Sequence, residues 1–81
     1  MQRLKSSKKR IIGFKQTVKA INNDKVDIVY IADDADDNIK NSILEACRGK
    51  NIEIVHVETM KQLGDACGID VNASCASLLK S

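Results

Sequence analysis

From Ile11 onward, β-forming apolar runs alternate with stretches in which apolar side chains return every three or four positions. Ile11-Ile12 is a brief apolar pair before Gly13. Beyond that glycine, Phe14, Val18 and Ile21 recur at helical spacing while Lys15 and Lys19 share a neighbouring face. A first helix is therefore predicted from Gly13, with one side to bury and one to offer. Residues 27–32, Asp-Ile-Val-Tyr-Ile-Ala, form a nearly continuous apolar run, the signature of a central strand covered on both faces. Ile39, Ile43, Leu44 and Cys47 then define a second helical stripe, with aspartates at its positive start and Gly49 placed as a left-handed cap.

A second strand is predicted over residues 52–57, Ile-Glu-Ile-Val-His-Val, followed by Thr59-Met60-Lys61-Gln62 as a capping box. The helix it opens runs through Leu63, Ala66 and Cys67 to Gly68, and Ile69-Asp70-Val71-Asn72 is a loop. Residues 73–79 alternate weakly and read as a last strand of small residues packed closely beneath helices. Strands alternating with helices predict a layered α/β fold whose crossovers cover both faces of a mixed sheet of about four strands. Eighty-one residues make one domain, and a chain of this size buries about 60 to 65 per cent of the surface exposed when unfolded. With Phe14 and Tyr30 the only aromatics, the core must be aliphatic.

Charge changes this picture. The net charge of +2 hides a polarised chain, because Arg3, Lys5, Lys8, Lys9, Arg10, Lys15 and Lys19 are the only charged side chains of the first nineteen residues. The remaining six cations face all 11 acidic residues, so residues 20–81 carry a formal charge of minus five. Clustered cations bind polyanions because phosphates release condensed counterions to them. Cys47, Cys67 and Cys75 are odd in number, lack C-x-x-C spacing and fall on predicted core faces, which argues for a reducing cytoplasm and against a disulfide framework or a zinc site. No run approaches the roughly 20 apolar residues that span a bilayer.

The candidate chemistry is at two places. A helix start carries unpaired N–H groups and partial positive charge, and Gly13 admits a phosphate or base edge without a Cβ in the way. Lys15 and Lys19 add point charges and Gln16 a donor and acceptor for a base edge; the competing reading is a solvated amphipathic face. The loop of Ile69, Asp70, Val71 and Asn72 mixes apolar and hydrogen-bonding groups suited to an unstacked base, or else is a buried crossover. Asp33, Asp34, Asp36 and Asp37 lack the ligand spacing of a calcium loop and read as caps and a solvated turn. His56 reads as a packed or edge residue, and no convergent polar pocket for an enzyme assembles from these residues.

Three segments taken together resemble a known family. Residues 11–20 (Ile-Ile-Gly-Phe-Lys-Gln-Thr-Val-Lys-Ala), residues 32–36 (Ala-Asp-Asp-Ala-Asp) and residues 60–71 (Met-Lys-Gln-Leu-Gly-Asp-Ala-Cys-Gly-Ile-Asp-Val) are similar, in order, to the large-subunit ribosomal protein seven-Ae family. The likeness is greatest to its small ribosomal-protein-like members of Gram-positive bacteria. The resemblance implies a three-layer α/β/α sandwich, no cofactor, and recognition of kink-turn RNA, a bent stem-bulge-stem element with sheared G·A pairs and an extruded nucleotide. It implies that Gly13, Lys15, Gln16 and Lys19 face the sheared pairs and nearby phosphates, while Ile69, Asp70, Val71 and Asn72 cover the flipped-out base. Many members carry Asn-Glu in place of Lys15-Gln16 and Pro in place of Asn72; Gln16 then lacks a carboxylate acceptor, and Lys15 adds salt-dependent attraction. The implied protein is a cytoplasmic monomer with an RNA partner, and the alternative is a structural component of the ribosome acting mainly through protein contacts.

Overall fold

A computed structural model describes residues 9–80, so Arg3, Lys5 and Lys8 of the basic arm lie outside the described residues. The apolar run forms strand β2 (Val26–Ala32), in which every residue but Asp27 is buried. Such double-sided burial requires a strand on each edge and a layer on each face. β4 (Cys75–Leu79) lies antiparallel on one edge and β3 (Glu53–Val57) parallel on the other. A three-residue strand β1 (Arg10–Ile12) pairs antiparallel with the outer side of β4, which completes the order β1-β4-β2-β3.

Helices α1 (Phe14–Asn22), α2 (Asp37–Cys47) and α3 (Met60–Cys67) connect these strands. Side-chain alternation assigns them to faces. Val29, Ile31 and Cys75 point to one side, where they pack with Ala20 and Ile21 of α1 and Ile43 and Cys47 of α2. Ile28, Tyr30, Ala32, Ala76 and Leu78 point to the other, against Leu63 and Cys67 of α3. The result is an α/β/α sandwich with two helices on one face and one on the other. Among the described residues no helix is long and apolar enough to cross a membrane.

Four local details differ from the sequence pattern. Ile11-Ile12 belongs to a strand, which three residues form only because β4 supplies the partner. Leu44 is 40% exposed, so the buried side of α2 narrows to Ile43 and Cys47. Arg48, in extended conformation, is the C-cap of α2, and Gly49 with φ +74° makes the turn after it. Thr59 does accept from the Gln62 amide at 3.0 Å, but the Gln62 side chain donates to Glu58 rather than reaching back to complete the box.

The topology has one consequence for function. β1, β2 and β3 run in the same direction, opposite to β4. All three helices therefore begin at one end of the sheet, where β4 also begins.

Candidate nucleic-acid interface

Three helix N-termini on one edge bring three sets of unpaired N–H groups and partial positive charge together. Two of them are answered within the protein. Asp36 caps α2 by accepting from the Asn38 amide at 2.8 Å, and Asp37 adds a carboxylate in its first turn. The α3 start receives the Thr59 hydroxyl and the Asp34 carboxylate, which accepts from the Met60 amide at 2.7 Å. The α1 start is different: Gly13 stands at the cap position, no side chain caps it, and no acidic residue occupies its first turn. What surrounds it instead is Lys15, Gln16 and Lys19, all exposed.

Gly13 itself adopts φ 108° and ψ 157°, a region that a side chain disfavours. This conformation lets its amide donate to the Cys75 carbonyl at 3.0 Å while its own carbonyl accepts from the Thr17 amide at 3.1 Å. The first bond joins the α1 start to the first residue of β4. Asn72 lies three residues before Cys75, a stretch that spans at most about 11 Å. The end of the loop and the helix start therefore share one sheet edge.

The loop folds back along α3. Gly68 reverses the chain with φ 76°, Ile69 donates its amide to the Gly64 carbonyl at 3.1 Å, and Ala73 donates to the Met60 carbonyl at 3.1 Å. Its side chains divide. Ile69 is half-buried against the α3-side core, whereas Asp70 and Asn72 are exposed and Val71 is 68% exposed. A largely exposed β-branched residue beside two polar ones is an apolar contact point on a wet surface. Of the four loop residues singled out from the sequence, Ile69 is the one whose side chain turns inward.

Two residues join the cationic side that sequence reasoning passed over. Asn23 and Lys25 line, with Gln16 and Lys19, a shallow depression of about 230 Å³ beside Ile11 and Leu79. Nothing in the local pattern marks Asn23 and Lys25, because α1 has ended before them; the chain turn that follows brings them alongside.

The remaining candidates are engaged structurally. His56 is exposed on β3 with Nδ1 3.0 Å from an Asp33 carboxylate oxygen, and Lys40 donates to the Asp33 carbonyl at 2.8 Å. Among the described residues no three His, Cys, Asp or Glu side chains converge as a metal-binding group. The three cysteines are buried thiols, and burial pushes each of them above the ordinary thiol value, disfavouring the thiolate that redox or nucleophilic chemistry requires. A concavity between α1 and α2 is lined by Val18, Asn22, Asn41, Glu45 and Ala46, with no acid–base pair in it.

Comparison with known proteins agrees with this geometry. The model of the Ribosomal protein L7Ae/L30e/S12e/Gadd45 family matches residues 1–81. An RNA-binding protein of Caldanaerobacter subterraneus subsp. tengcongensis is 54% identical over 69 residues, covering 85% of this chain and 84% of that protein. The large ribosomal subunit protein eL8 of Halobacterium salinarum is 37% identical over 68 residues, covering 83% of this chain and 57% of its own length. Among solved structures, the Giardia lamblia 15.5kD RNA binding protein superposes with a TM-score of 0.83 at 29% identity, covering 99% of this chain and 68% of that one.

Proposed function

Because the chain belongs to the Ribosomal protein L7Ae/L30e/S12e/Gadd45 family, we propose that it is a cytoplasmic, monomeric, non-enzymatic RNA-binding module that recognises kink-turn RNA and stabilises the bend. The observation that carries this reading is the shared sheet edge: an uncapped helix start ringed by Lys15, Gln16 and Lys19, joined through the Gly13–Cys75 bond to the strand that follows the exposed loop. A bent RNA presents two kinds of surface close together, crowded phosphates on the bend and a base driven out of the stack. The open N–H groups of α1 and the lysines suit the first. Val71, Asp70 and Asn72 suit the second, through apolar contact and hydrogen bonds to the base edge.

In this reading the lysines hold the RNA electrostatically, Gln16 reads the edges of the sheared pairs, and the loop covers the extruded nucleotide. A free RNA in equilibrium between straight and bent forms shifts toward the bent one because only that form meets both surfaces at once. Calorimetric titration of a kink-turn RNA tests the assignment. Lys19→Ala and Gln16→Ala weaken binding with little change in melting temperature, since both side chains are exposed; unaltered affinity in both variants rejects the surface.

The similarity to a large ribosomal subunit protein favours a second reading, a structural component of the ribosome held mainly by protein contacts. Co-sedimentation with ribosomal subunits separates the two. Persistence after replacement of Lys15, Gln16 and Lys19 together supports the structural role, and loss supports the RNA-binding one.

A further inference from the structure

We propose that Gly64, in the middle of α3, is a positioning residue for the RNA-facing loop: its missing side chain is the space into which the backbone of Val71 and Asn72 settles. A Cβ at Gly64 would stand 2.1 Å from the Val71 carbonyl oxygen, 3.2 Å from its carbonyl carbon and 3.3 Å from the Asn72 Cα. All three atoms are backbone, so no rotamer change relieves the overlap. This use of glycine is costly within a helix, where it weakens the helix relative to alanine by roughly 1 kcal/mol. The cost is offset here by a close approach that no other residue permits.

The rest of the loop is pinned only at its ends. The Ile69 amide is bonded to the Gly64 carbonyl, and the Ala73 amide to the Met60 carbonyl. Residues 70–72 between them make no hydrogen bond recorded among the loop's backbone contacts, so their height above α3 is set by contact with the bare Gly64 Cα. Gly64 and Val71 are seven residues apart in sequence, and the α3 face at Gly64 is fully covered as a result. Restoring a Cβ forces the loop outward by roughly an ångström, which exceeds the tolerance of a binding site built on a rigid element. Val71 would move away from the α1 start, breaking the fit to a ligand that spans both.

This inference rests on the RNA reading, and its test separates the two. The probe is a stem-bulge-stem RNA with tandem sheared G·A pairs and 2-aminopurine in the bulge, titrated against the full chain. In the free protein, Gly64→Ala accelerates exchange of the Ala73 amide beyond that of the core amide of Val29. It also weakens probe binding roughly tenfold and reduces the 2-aminopurine signal at saturation, while the dependence of log K on salt stays that of the wild type because the α1 cations are untouched. If the Ala73 and Val29 amides respond equally and affinity is unchanged, the proposal is wrong and the RNA reading stands. If the wild-type chain does not bind the probe, the RNA reading falls and takes the proposal with it. Should Gly64→Ala not fold, Val71→Ala and Val71→Gly decide: the first removes a side chain, the second also frees the backbone that Gly64 holds. Greater loss of affinity for Val71→Gly supports the proposal, and equal loss overturns it.

Discussion

Gly13→Ala tests the physical basis of the α1 start directly. Nothing stands within 4 Å of the Cβ that alanine would add, so a steric account predicts no effect. The backbone predicts otherwise. With φ 108° and ψ 157°, Gly13 lies in a region that essentially only glycine populates, where an L-residue is strained by about 1–3 kcal/mol. Alanine recovers about 0.4–1 kcal/mol by restricting the unfolded chain, which leaves a net destabilisation of about 1–2 kcal/mol. If the peptide instead rotates to escape the strain, the 3.0 Å bond from the Gly13 amide to Cys75 is lost, at a cost of about 1 kcal/mol. Both routes lead to a similar loss. The assay is urea denaturation, with thermal melting beside it; each kcal/mol lowers Tm by about 4–8 °C in a domain of this size. Gly49→Ala is the matched control, since its Cβ also meets nothing and its φ of +74° is the milder left-handed region. Gly13→Ala should be the more damaging of the two. A Gly13→Ala protein within about 0.5 kcal/mol of the wild type, or one no worse than Gly49→Ala, refutes the strain argument.

Lys19→Ala and Lys25→Ala should each lower the slope of log K against log salt by about 1 for a kink-turn RNA, measured by titration at several salt concentrations; an unchanged slope removes that lysine from the phosphate path. Asp34→Ala takes away a carboxylate that accepts from the first amide of α3 and should cost about 1 kcal/mol in denaturant unfolding, with Asp37→Ala, whose carboxylate pairs with Lys40 on the surface, as the smaller comparison. The thiols give a pH dependence. Burial raises the Cys47, Cys67 and Cys75 values above the ordinary 9.0, so the unfolded chain loses these protons first. Their contribution is complete below the ordinary value and is lost as pH climbs through the raised ones. Stability measured between pH 7 and 10 should therefore fall at the alkaline end, and should fall less after Cys67→Ala when each protein is compared with itself at pH 7.

Much of the fold was legible because its elements carry strong local signals. The run from Val26 to Ala32 is apolar at almost every position because both faces of a central strand are covered. Thr59 and Gly68 bracket α3 by a side-chain acceptor and a left-handed cap, as their residue types foretell. β1 was not legible as a strand: three residues have no periodicity, and only the edge of β4 makes Arg10–Ile12 extended. The inward turn of Ile69 and the outward one of Val71 were also hidden, because loop side chains follow no repeat.

The candidate site divides in the same way. Cationic clustering, the glycine at a helix start and the apolar-polar loop are properties of residue type, so the chain alone determined which groups are available and where helix and strand begin. Tertiary structure decided which groups meet. The antiparallel insertion of β4 between β1 and β2 puts three helix starts on one edge, and the caps on α2 and α3 leave only α1 open among the described helices. The same packing brings Lys25 beside Lys19 and lays the Val71 backbone against Gly64. Local sequence sets the conformational preference of each segment over a few residues, whereas proximity between distant segments depends on how apolar faces close on one another, and that is a property of the whole chain.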